Sequence, residues 1–263
     1  MRFGINHIAA PGLPLDRFFA MGRSLGVTEV EIRNDLPGAP IADGTSPQAV
    51  RQAAALAGVA ILTINALYPF NVWSPELERK ALGLADYARA CGAGALVMCP
   101  LNEGRPVAFA DTVAALERIA PILEERGLTG LVEPLGFPVS SLRTKAEAIR
   151  AIGEAGGSQT FRLVHDTFHH HLAGETEFYP QQTALVHISG VADPGVAVED
   201  MLDGHRVLVG ADDRLDNLGQ IRGLLAAGFA GPFSFEPFSP AIQQLGDPEA
   251  ALRESMAYIR NHV

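Results

Sequence analysis

The feature that most constrains the fold of this chain is a regular alternation of two kinds of segment. Short apolar runs rich in β-branched residues predict strands covered on both faces, and longer runs rich in Ala, Leu, Arg and Glu predict helices. The strand segments recur at roughly the ~30-residue spacing of a βα unit. The predicted strands are Phe3–Ile8, Glu29–Arg33, Ala60–Asn65, Ala95–Cys99, Gly130–Glu133, Arg162–Asp166, Ala184–Ile188 and Phe233–Glu236.

Helix-end signals support the helices that alternate with these strands. Ser46-Pro47 and Ser74-Pro75 each place a capping side chain before a proline at the first helical position. Gly58 and Gly92 stand where helices should end. The predicted helices are Leu15–Leu25, Pro47–Ala57, Glu76–Ala90, Ala110–Arg126, Lys145–Ala155, Leu218–Ala227 and Pro248–Asn261.

Eight successive βα units favour an α/β fold, a single (β/α)8 TIM barrel, which typically needs ~250 residues. The chain has 263 residues and no linker or low-complexity segment, so we expect residues 1–263 to form one domain. The alternative is an open doubly wound sheet that binds a dinucleotide. Its glycine fingerprint is absent, because Gly92-Ala93-Gly94 precedes a predicted strand and has Val97 at the place of the third glycine.

Composition excludes several classes of function. The chain is 48% hydrophobic and 19% charged, as in ordinary globular proteins. Its formal net charge is −10 and it has no basic stretch, which argues against binding nucleic acid. It has neither a signal-peptide pattern nor a long uninterrupted apolar run, so we expect no membrane segment. Cys91 and Cys99 are expected to be reduced thiols of a cytoplasmic protein.

The last four predicted strands each end on a residue that can bind a metal. Barrel enzymes carry their chemistry at the carboxyl ends of the strands. One isolated carboxylate there would more often cap the next helix, but four such residues on successive strands indicate a site. Three carboxylates and one imidazole favour one divalent metal ion, Mn, Co, Zn or Mg. The four predicted ligands are Glu133, Asp166, His187 and Glu236.

A run of three histidines follows Asp166 closely, at positions 169–171. Consecutive residues that leave a strand point in different directions, so these three cannot all bind one ion. We predict that His169 turns into the pocket and hydrogen-bonds substrate. His170 and His171 are expected to pack or to lie at the surface. His165 alternates away from Asp166 and is expected to pack against a helix.

Other polar and aromatic residues near the strand ends are candidates for a substrate pocket. His7 and Asn65 are predicted to bind a polyol, with packing as the equal alternative. Arg206 lies in the long segment after the seventh predicted strand and is predicted to close over substrate, with a surface salt bridge as the alternative. Further polar strand-end or pocket candidates are Asn6, Glu31, Arg33, Tyr68, Trp73 and Asn102. Candidates for an apolar wall are Phe137, Phe168 and Phe238.

At these residues the chain resembles the xylose-isomerase-like barrels, and among them the inosose isomerases and tagatose-epimerase-like sugar isomerases. The motifs that carry the resemblance are Glu133-Pro134-Leu135-Gly136, Asp166-Thr167-Phe168-His169, His187-Ile188 and Phe235-Glu236-Pro237-Phe238. The resemblance implies that the four predicted ligands bind a divalent metal, that Glu133 and Glu236 also act as acid/base groups, and that His169 contacts substrate. One departure is that the epimerase-like members have an Arg soon after the metal-binding His, whereas Arg206 comes much later.

These observations predict an isomerase or epimerase of a small keto-sugar or of a cyclitol such as an inosose, in carbohydrate or inositol metabolism. A metal ion would polarise an α-hydroxyketone, and a glutamate would remove the proton from the carbon between the two oxygens. If the enediolate regains a proton at the neighbouring carbon the reaction is an isomerisation, and on the opposite face of the same carbon it is an epimerisation. Expulsion of a β-hydroxyl instead would make the protein a dehydratase of the inosose or dehydroshikimate type.

Two further alternatives belong to other classes. An endonuclease-IV-like repair enzyme shares the fold but needs more metal ligands and a basic DNA-binding face, which this acidic chain lacks. A binding protein would hold a polyol without exchanging its carbon-bound protons. The expected partner is a small polyol or ketose, with no nucleic acid and no membrane. Formation of a homo-oligomer stays open, because an apolar helix patch cannot be distinguished from core packing in sequence.

Overall fold

The computed structural model describes residues 1–36, 38, 41 and 44–263. Its strands pair in parallel and in chain order, and β8 (Pro232–Phe235) pairs with β1 (Arg2–Asn6), which closes the barrel. The predicted (β/α)8 barrel is therefore confirmed. The other strands are β2 (Glu29–Arg33), β3 (Ala60–Leu67), β4 (Ala95–Met98), β5 (Thr129–Val132), β6 (Phe161–Asp166) and β7 (Thr183–Ile188).

The predicted helices are all present, with ends displaced by at most a few residues. The capping signals explain this agreement: Ser46 Oγ accepts a hydrogen bond from Ala49 N, and Gly58 ends the same helix in the left-handed region with φ of 70°. The helices of the described residues are α1 (Leu15–Ser24), α2 (Pro47–Ala57), α3 (Pro75–Cys91), α4 (Phe109–Glu124), α5 (Lys145–Glu154), α6 (Thr167–Ala173), α7 (Asn217–Ala226), α8 (Pro240–Gln243) and α9 (Pro248–His262).

Two short helices, α6 and α8, were not predicted from the sequence. α6 begins directly after β6, because Asp166 caps it by accepting hydrogen bonds from Phe168 N and His169 N. Seven residues are too few to show a helical period in sequence. The consequence for the site is that His169 is carried on a helical turn next to Asp166.

The segment from Ser189 to Asp216, between β7 and α7, returns to the carboxyl end of the barrel. An antiparallel bridge between Gly190 and Val207 folds it back on itself. Met201 and Leu215 from this segment are buried in a second apolar cluster with Phe137 and Phe168. Full burial of one such side chain contributes about 1.5–3 kcal/mol, so this small core anchors the segment above the barrel.

No helix in the described part of the chain combines the length and the apolar character that a membrane crossing requires. Cys91 is buried, Cys99 is half-buried, and both are free thiols.

Candidate active site and metal centre

The four predicted metal ligands meet at the carboxyl end of the barrel. Glu133 and Glu236 directly follow β5 and β8, while Asp166 and His187 lie on β6 and β7. All four are buried, and one ligand atom from each lies within 4.8 Å of the others. Bonds from a divalent ion to nitrogen or oxygen ligands are ~2.0–2.2 Å long, so two ligands on opposite sides of an ion stand ~4.0–4.4 Å apart. The cluster fits one divalent ion with a contraction of a few tenths of an ångström.

The His187 ring directs Nδ1 into this cluster. Nδ1 lies 3.0 Å from Glu133 Oε1, 3.1 Å from Glu236 Oε2 and 4.0 Å from Asp166 Oδ2. Burial acts to lower the pKa of His187, but the negative charges of Glu236, Glu31 and Glu133 outweigh it and raise the pKa well above its ordinary value. The centre of the cluster is therefore a place that attracts positive charge.

Glu236 is surrounded by hydrogen-bond donors. Its Oε1 accepts from Asn6 Nδ2 at 3.1 Å and from Arg33 Nη1 at 3.0 Å, and its Oε2 accepts from Arg206 Nη2 at 3.1 Å. Burial acts to raise the pKa of Glu236, but His187 and the two arginines overcome it and lower the pKa to about 2. Glu236 is thus held ionised and in one orientation.

Glu133 has fewer partners. Besides His187, its carboxylate faces only the Cys99 thiol among the hydrogen-bonding groups of the described residues, with Sγ 3.6 Å from Oε2. Burial raises the pKa of Glu133, and the charges of Glu236 and Asp166 add to the rise although His187 opposes it. Of the two glutamates, Glu133 is the one whose surroundings favour gaining and losing a proton.

Arg206 lies in the site and is only 1% exposed, so it is not a surface residue, although its Nη1 also donates to the half-exposed Asp203 at 3.2 Å. Its Nη2 donates to Asp166 Oδ2 at 2.6 Å and to Glu236 Oε2 at 3.1 Å, and its Nε donates to Ser189 Oγ at 2.9 Å. Burial acts to raise the pKa of Asp166, but the positive charges of Arg206, His169 and His187 together outweigh it and lower the pKa. Although Arg206 comes late in the sequence, the segment that carries it folds back and places the guanidinium next to Asp166 and Glu236.

A cavity of about 250 Å³ opens beside the cluster. This volume lies below the ~300–1,000 Å³ of pockets for drug-sized ligands, so it suits a small polyol. Among the predicted residues, Asn65, His169, Arg206, Glu133 and Glu236 line it. Other lining residues that the sequence suggested are Arg33, Tyr68, Asn102, Phe137 and Phe238.

His169 is 4% exposed and makes edge contacts with the rings of Phe137 and Phe168. Its Nδ1 has no hydrogen-bond partner among the described residues. A buried polar atom without a partner is costly, so a ligand hydroxyl in the cavity would offer the bond that the protein leaves open.

The structure does not bring His7 to the cavity. The His7 ring stacks on Phe18 with centroids 4.5 Å apart, and Nε2 lies 2.9 Å from the Leu13 carbonyl oxygen. The reason is local: a 3-10 turn, His7–Ala9, begins where the predicted strand was expected to continue, and it directs the imidazole towards α1. His7 does not line the cavity, so the substrate-binding role predicted for it from the sequence is not carried into the proposal below. Trp73 is likewise placed elsewhere, against Arg118.

The other histidines pack as predicted. His165 Nε2 lies 2.9 Å from Gln220 Oε1 on α7, and the rings of His165 and His170 have centroids 4.7 Å apart. Lys145 Nζ lies 2.6 Å from His170 Nδ1. Burial lowers the pKa of both histidines, that of His170 to about 3. This cluster lies behind β6 and does not line the cavity.

Glu31 and Arg33 acquire clear positions that the sequence did not assign. They stand two residues apart on β2, so both point to the barrel interior. Glu31 is fully buried and accepts hydrogen bonds from Thr63 Oγ1 at 2.7 Å and Asn65 Nδ2 at 2.9 Å. Burial acts to raise the pKa of Glu31, but His187 and the hydrogen bonds lower it to about 2. The alternation of charged and apolar residues in β2 was the signal for inward-pointing charge.

Comparisons with known proteins agree with this fold. Residues 19–262 match the sequence model of the family described as xylose isomerase-like TIM barrel. A xylose isomerase domain-containing protein from Salmonella typhimurium LT2 has a crystal structure similar to this one, with 37% sequence identity and a TM-score of 0.93. The similarity covers 98% of this chain and 97% of that one. A comparison with curated protein sequences found no significant match.

More distant structures share the fold. The IolI protein with a bound zinc atom is 20% identical, with a TM-score of 0.85 and coverage of 100% of this chain and 99% of that one. The D-allulose 3-epimerase from Methylomonas sp. in complex with D-allulose is 17% identical, with a TM-score of 0.76 and coverage of 100% and 97%. With the family model matching nearly the whole length, this chain belongs to the xylose isomerase-like TIM barrel family.

Proposed function

We propose that this protein is a divalent-metal-dependent isomerase or epimerase of a small keto-sugar or of a cyclitol such as an inosose. The observation that carries the proposal is the convergence of Glu133, Asp166, His187 and Glu236 to within 4.8 Å beside a small polar cavity. The zinc bound by IolI and the sugar bound by the D-allulose epimerase, both on this fold, support the same class of chemistry.

The four ligand residues would hold one divalent ion, Mn, Co, Zn or Mg, on the donor set that oxygen- and imidazole-binding cations prefer. A bound ion supplies a Lewis acid for the substrate carbonyl and positive charge where the enediolate develops. Arg206 contributes a second, permanent positive charge next to Asp166 and Glu236.

Glu133 and Glu236 are the proposed acid/base groups. Glu133 removes the proton from the carbon between carbonyl and hydroxyl, because its surroundings suit proton exchange. Return of that proton by Glu133 to the former carbonyl carbon, together with transfer of the hydroxyl proton to the former carbonyl oxygen, gives isomerisation. Epimerisation uses both groups: Glu236, held ionised, takes the proton from one face of the carbon, and Glu133, whose pKa is raised, gives a proton to the opposite face of the same carbon.

His169, Asn65 and Arg206 are the proposed substrate-binding residues. All three line the cavity, and His169 Nδ1 offers an unsatisfied hydrogen-bonding position. Polar groups of this kind select hydroxylated substrates, since a ligand without matching hydroxyls would leave them unpaired.

The test is deuterium uptake from D2O. The manganese-loaded protein is incubated with a panel of ketoses and inososes, and uptake at the carbon next to the carbonyl is followed by NMR. We expect uptake in the wild type and in Glu117→Gln, an exposed control on α4, and a loss of ~100-fold or more in Glu133→Gln. Loss of water in the product would identify a dehydratase instead. A manganese-bound protein that exchanges no deuterium with any compound would contradict the proposal.

A further inference from the structure

We propose that Glu31 is a positioning residue for His187: it holds the hydrogen on Nε2 of the imidazole and thereby presents Nδ1 as the metal-binding atom. This inference rests on the proposed function, because it concerns how the metal site is prepared. Glu31 itself lies outside the group of four ligands.

The two ring nitrogens of His187 face different partners. Nδ1 faces Glu133 Oε1 at 3.0 Å and Glu236 Oε2 at 3.1 Å, whereas Nε2 faces Glu31 Oε2 at 3.2 Å. His187 and Glu31 are both 0% exposed, so bulk solvent does not reach either residue. A neutral imidazole carries one N–H and one lone pair, and the nitrogen that faces a carboxylate which is not a ligand keeps the hydrogen.

Glu31 is fixed for this task by groups on neighbouring strands. Its Oε2 accepts from Thr63 Oγ1 at 2.7 Å and from Asn65 Nδ2 at 2.9 Å, both on β3. Its Oε1 accepts from Ser234 Oγ on β8, the residue paired in register with His187. With both oxygens held, the carboxylate is kept away from the four proposed ligand atoms, and among the described residues its remaining hydrogen-bonding partner is the imidazole.

This arrangement matches the carboxylate–histidine–metal pattern, in which an outer carboxylate sets the orientation and tautomer of a metal-binding histidine. Loss of such an outer partner typically costs ~10–100-fold in metal affinity or activity. If Glu31 only filled space, its isostere Gln would leave the metal affinity unchanged. Glu31→Gln therefore distinguishes a packing role from a positioning role.

The experiment uses protein labelled with 15N in histidine and loaded with Zn²⁺. Long-range 1H–15N spectra show which ring nitrogen carries hydrogen and which binds zinc, and His187→Gln identifies the His187 signals. In the wild type we expect hydrogen on Nε2 and zinc on Nδ1. Hydrogen on Nδ1, or zinc on Nε2, would overturn the proposal without any variant of Glu31.

Zinc affinity, measured by competition with a chromophoric chelator, gives the second readout. Glu31→Gln should bind zinc ~10–100-fold more weakly and lose the single His187 tautomer. Thr63→Val is the matched variant: it removes one hydrogen bond to the same oxygen but keeps the carboxylate, so the tautomer should persist. Wild-type zinc affinity and an unchanged tautomer in Glu31→Gln would overturn the proposal. Zinc bound through Nδ1 in a protein that exchanges no deuterium would uphold the role of Glu31 and contradict the proposed function.

Discussion

The two halves of the barrel both send polar side chains to its carboxyl end, but the groups do different things. Strands β5 to β8 deliver Glu133, Asp166, His187 and Glu236, whose ligand atoms converge on one point. Strands β1 to β3 deliver side chains that contact those ligands instead of joining them. These are Asn6 and Arg33 on Glu236, and Glu31, supported by Asn65, on His187.

The difference follows from charge. Three buried carboxylates in one place repel one another, and a single divalent ion offsets only part of their charge. Arg33 from the first half and Arg206 from the second supply the additional positive charge next to Glu236. The second half therefore forms the proposed ion-binding group, and the first half orients it.

The largest expected effect comes from removing one of the proposed ligands in the second half. Asp166→Asn should weaken Mn²⁺ binding by more than ~100-fold, beyond the ~10–100-fold cost of losing an outer partner. Isothermal titration with Mn²⁺ measures it, and Asp16→Asn, exposed on α1, is the control. Normal Mn²⁺ affinity in Asp166→Asn would remove Asp166 from the proposed ligand set.

The convergence of the four proposed ligands of the second half could be predicted from the sequence, because each one closes an apolar strand that is itself recognisable. The first-half residues could not be assigned, because their partners lie across the barrel. Glu31 contacts a residue 156 positions away in sequence, and Arg33 contacts one 203 positions away. Arg206 was hard to place for a related reason, since its position depends on how the long segment folds back. The first strand was predicted too long, because His7 and the residues after it form a tight turn that the apolar pattern does not distinguish from a strand.

Removal of the ion by a chelator is the next largest perturbation. Mn²⁺ at 100 times its dissociation constant should stabilise the folded protein by about 2.7 kcal/mol. For a domain of this size that corresponds to a rise of roughly 5–10 °C in melting temperature. Differential scanning calorimetry with EDTA and with excess Mn²⁺ measures the shift. Asp166→Asn should show little of it, and an equal shift in that variant would place the ion elsewhere.

A smaller effect is expected from the first half. Arg33→Met removes the donor at 3.0 Å from Glu236 Oε1 but no ligand, so we expect kcat/KM to fall ~10–100-fold while Mn²⁺ still binds. Arg17→Met, exposed on α1, is the control. If Arg33→Met abolished Mn²⁺ binding as completely as Asp166→Asn, the distinction between the two halves would be lost.

The smallest expected effect concerns two buried histidines of the second half, His187 and His170, whose pKa values shift in opposite directions. Carboxylates raise the pKa of His187, whereas burial lowers the pKa of His170 to about 3, helped by the nearby charges of Lys145 and His171 and opposed by that of Asp166. The unfolded chain therefore binds a proton at position 170 below about pH 6.5 that the folded protein does not bind until about pH 3. Below pH 6.5 this difference destabilises the folded state progressively as the pH falls.

Replacing His170 should accordingly reduce the loss of stability that acidification causes. We expect urea unfolding to show that, between pH 6.5 and pH 4.5, the free energy of unfolding falls by about 1 kcal/mol less in His170→Gln than in the wild type. This value is reduced from the full linkage of ~1.4 kcal/mol per pH unit to allow for partial solvent screening of His170. Other acid-sensitive groups are common to both proteins and cancel in the difference. His262→Gln, exposed near the end of α9, should lose as much stability as the wild type. Equal losses of stability in His170→Gln and the wild type would contradict this prediction. They would mean that His170 accepts a proton as readily in the folded protein as in the unfolded chain, so that packing behind β6 does not lower its pKa.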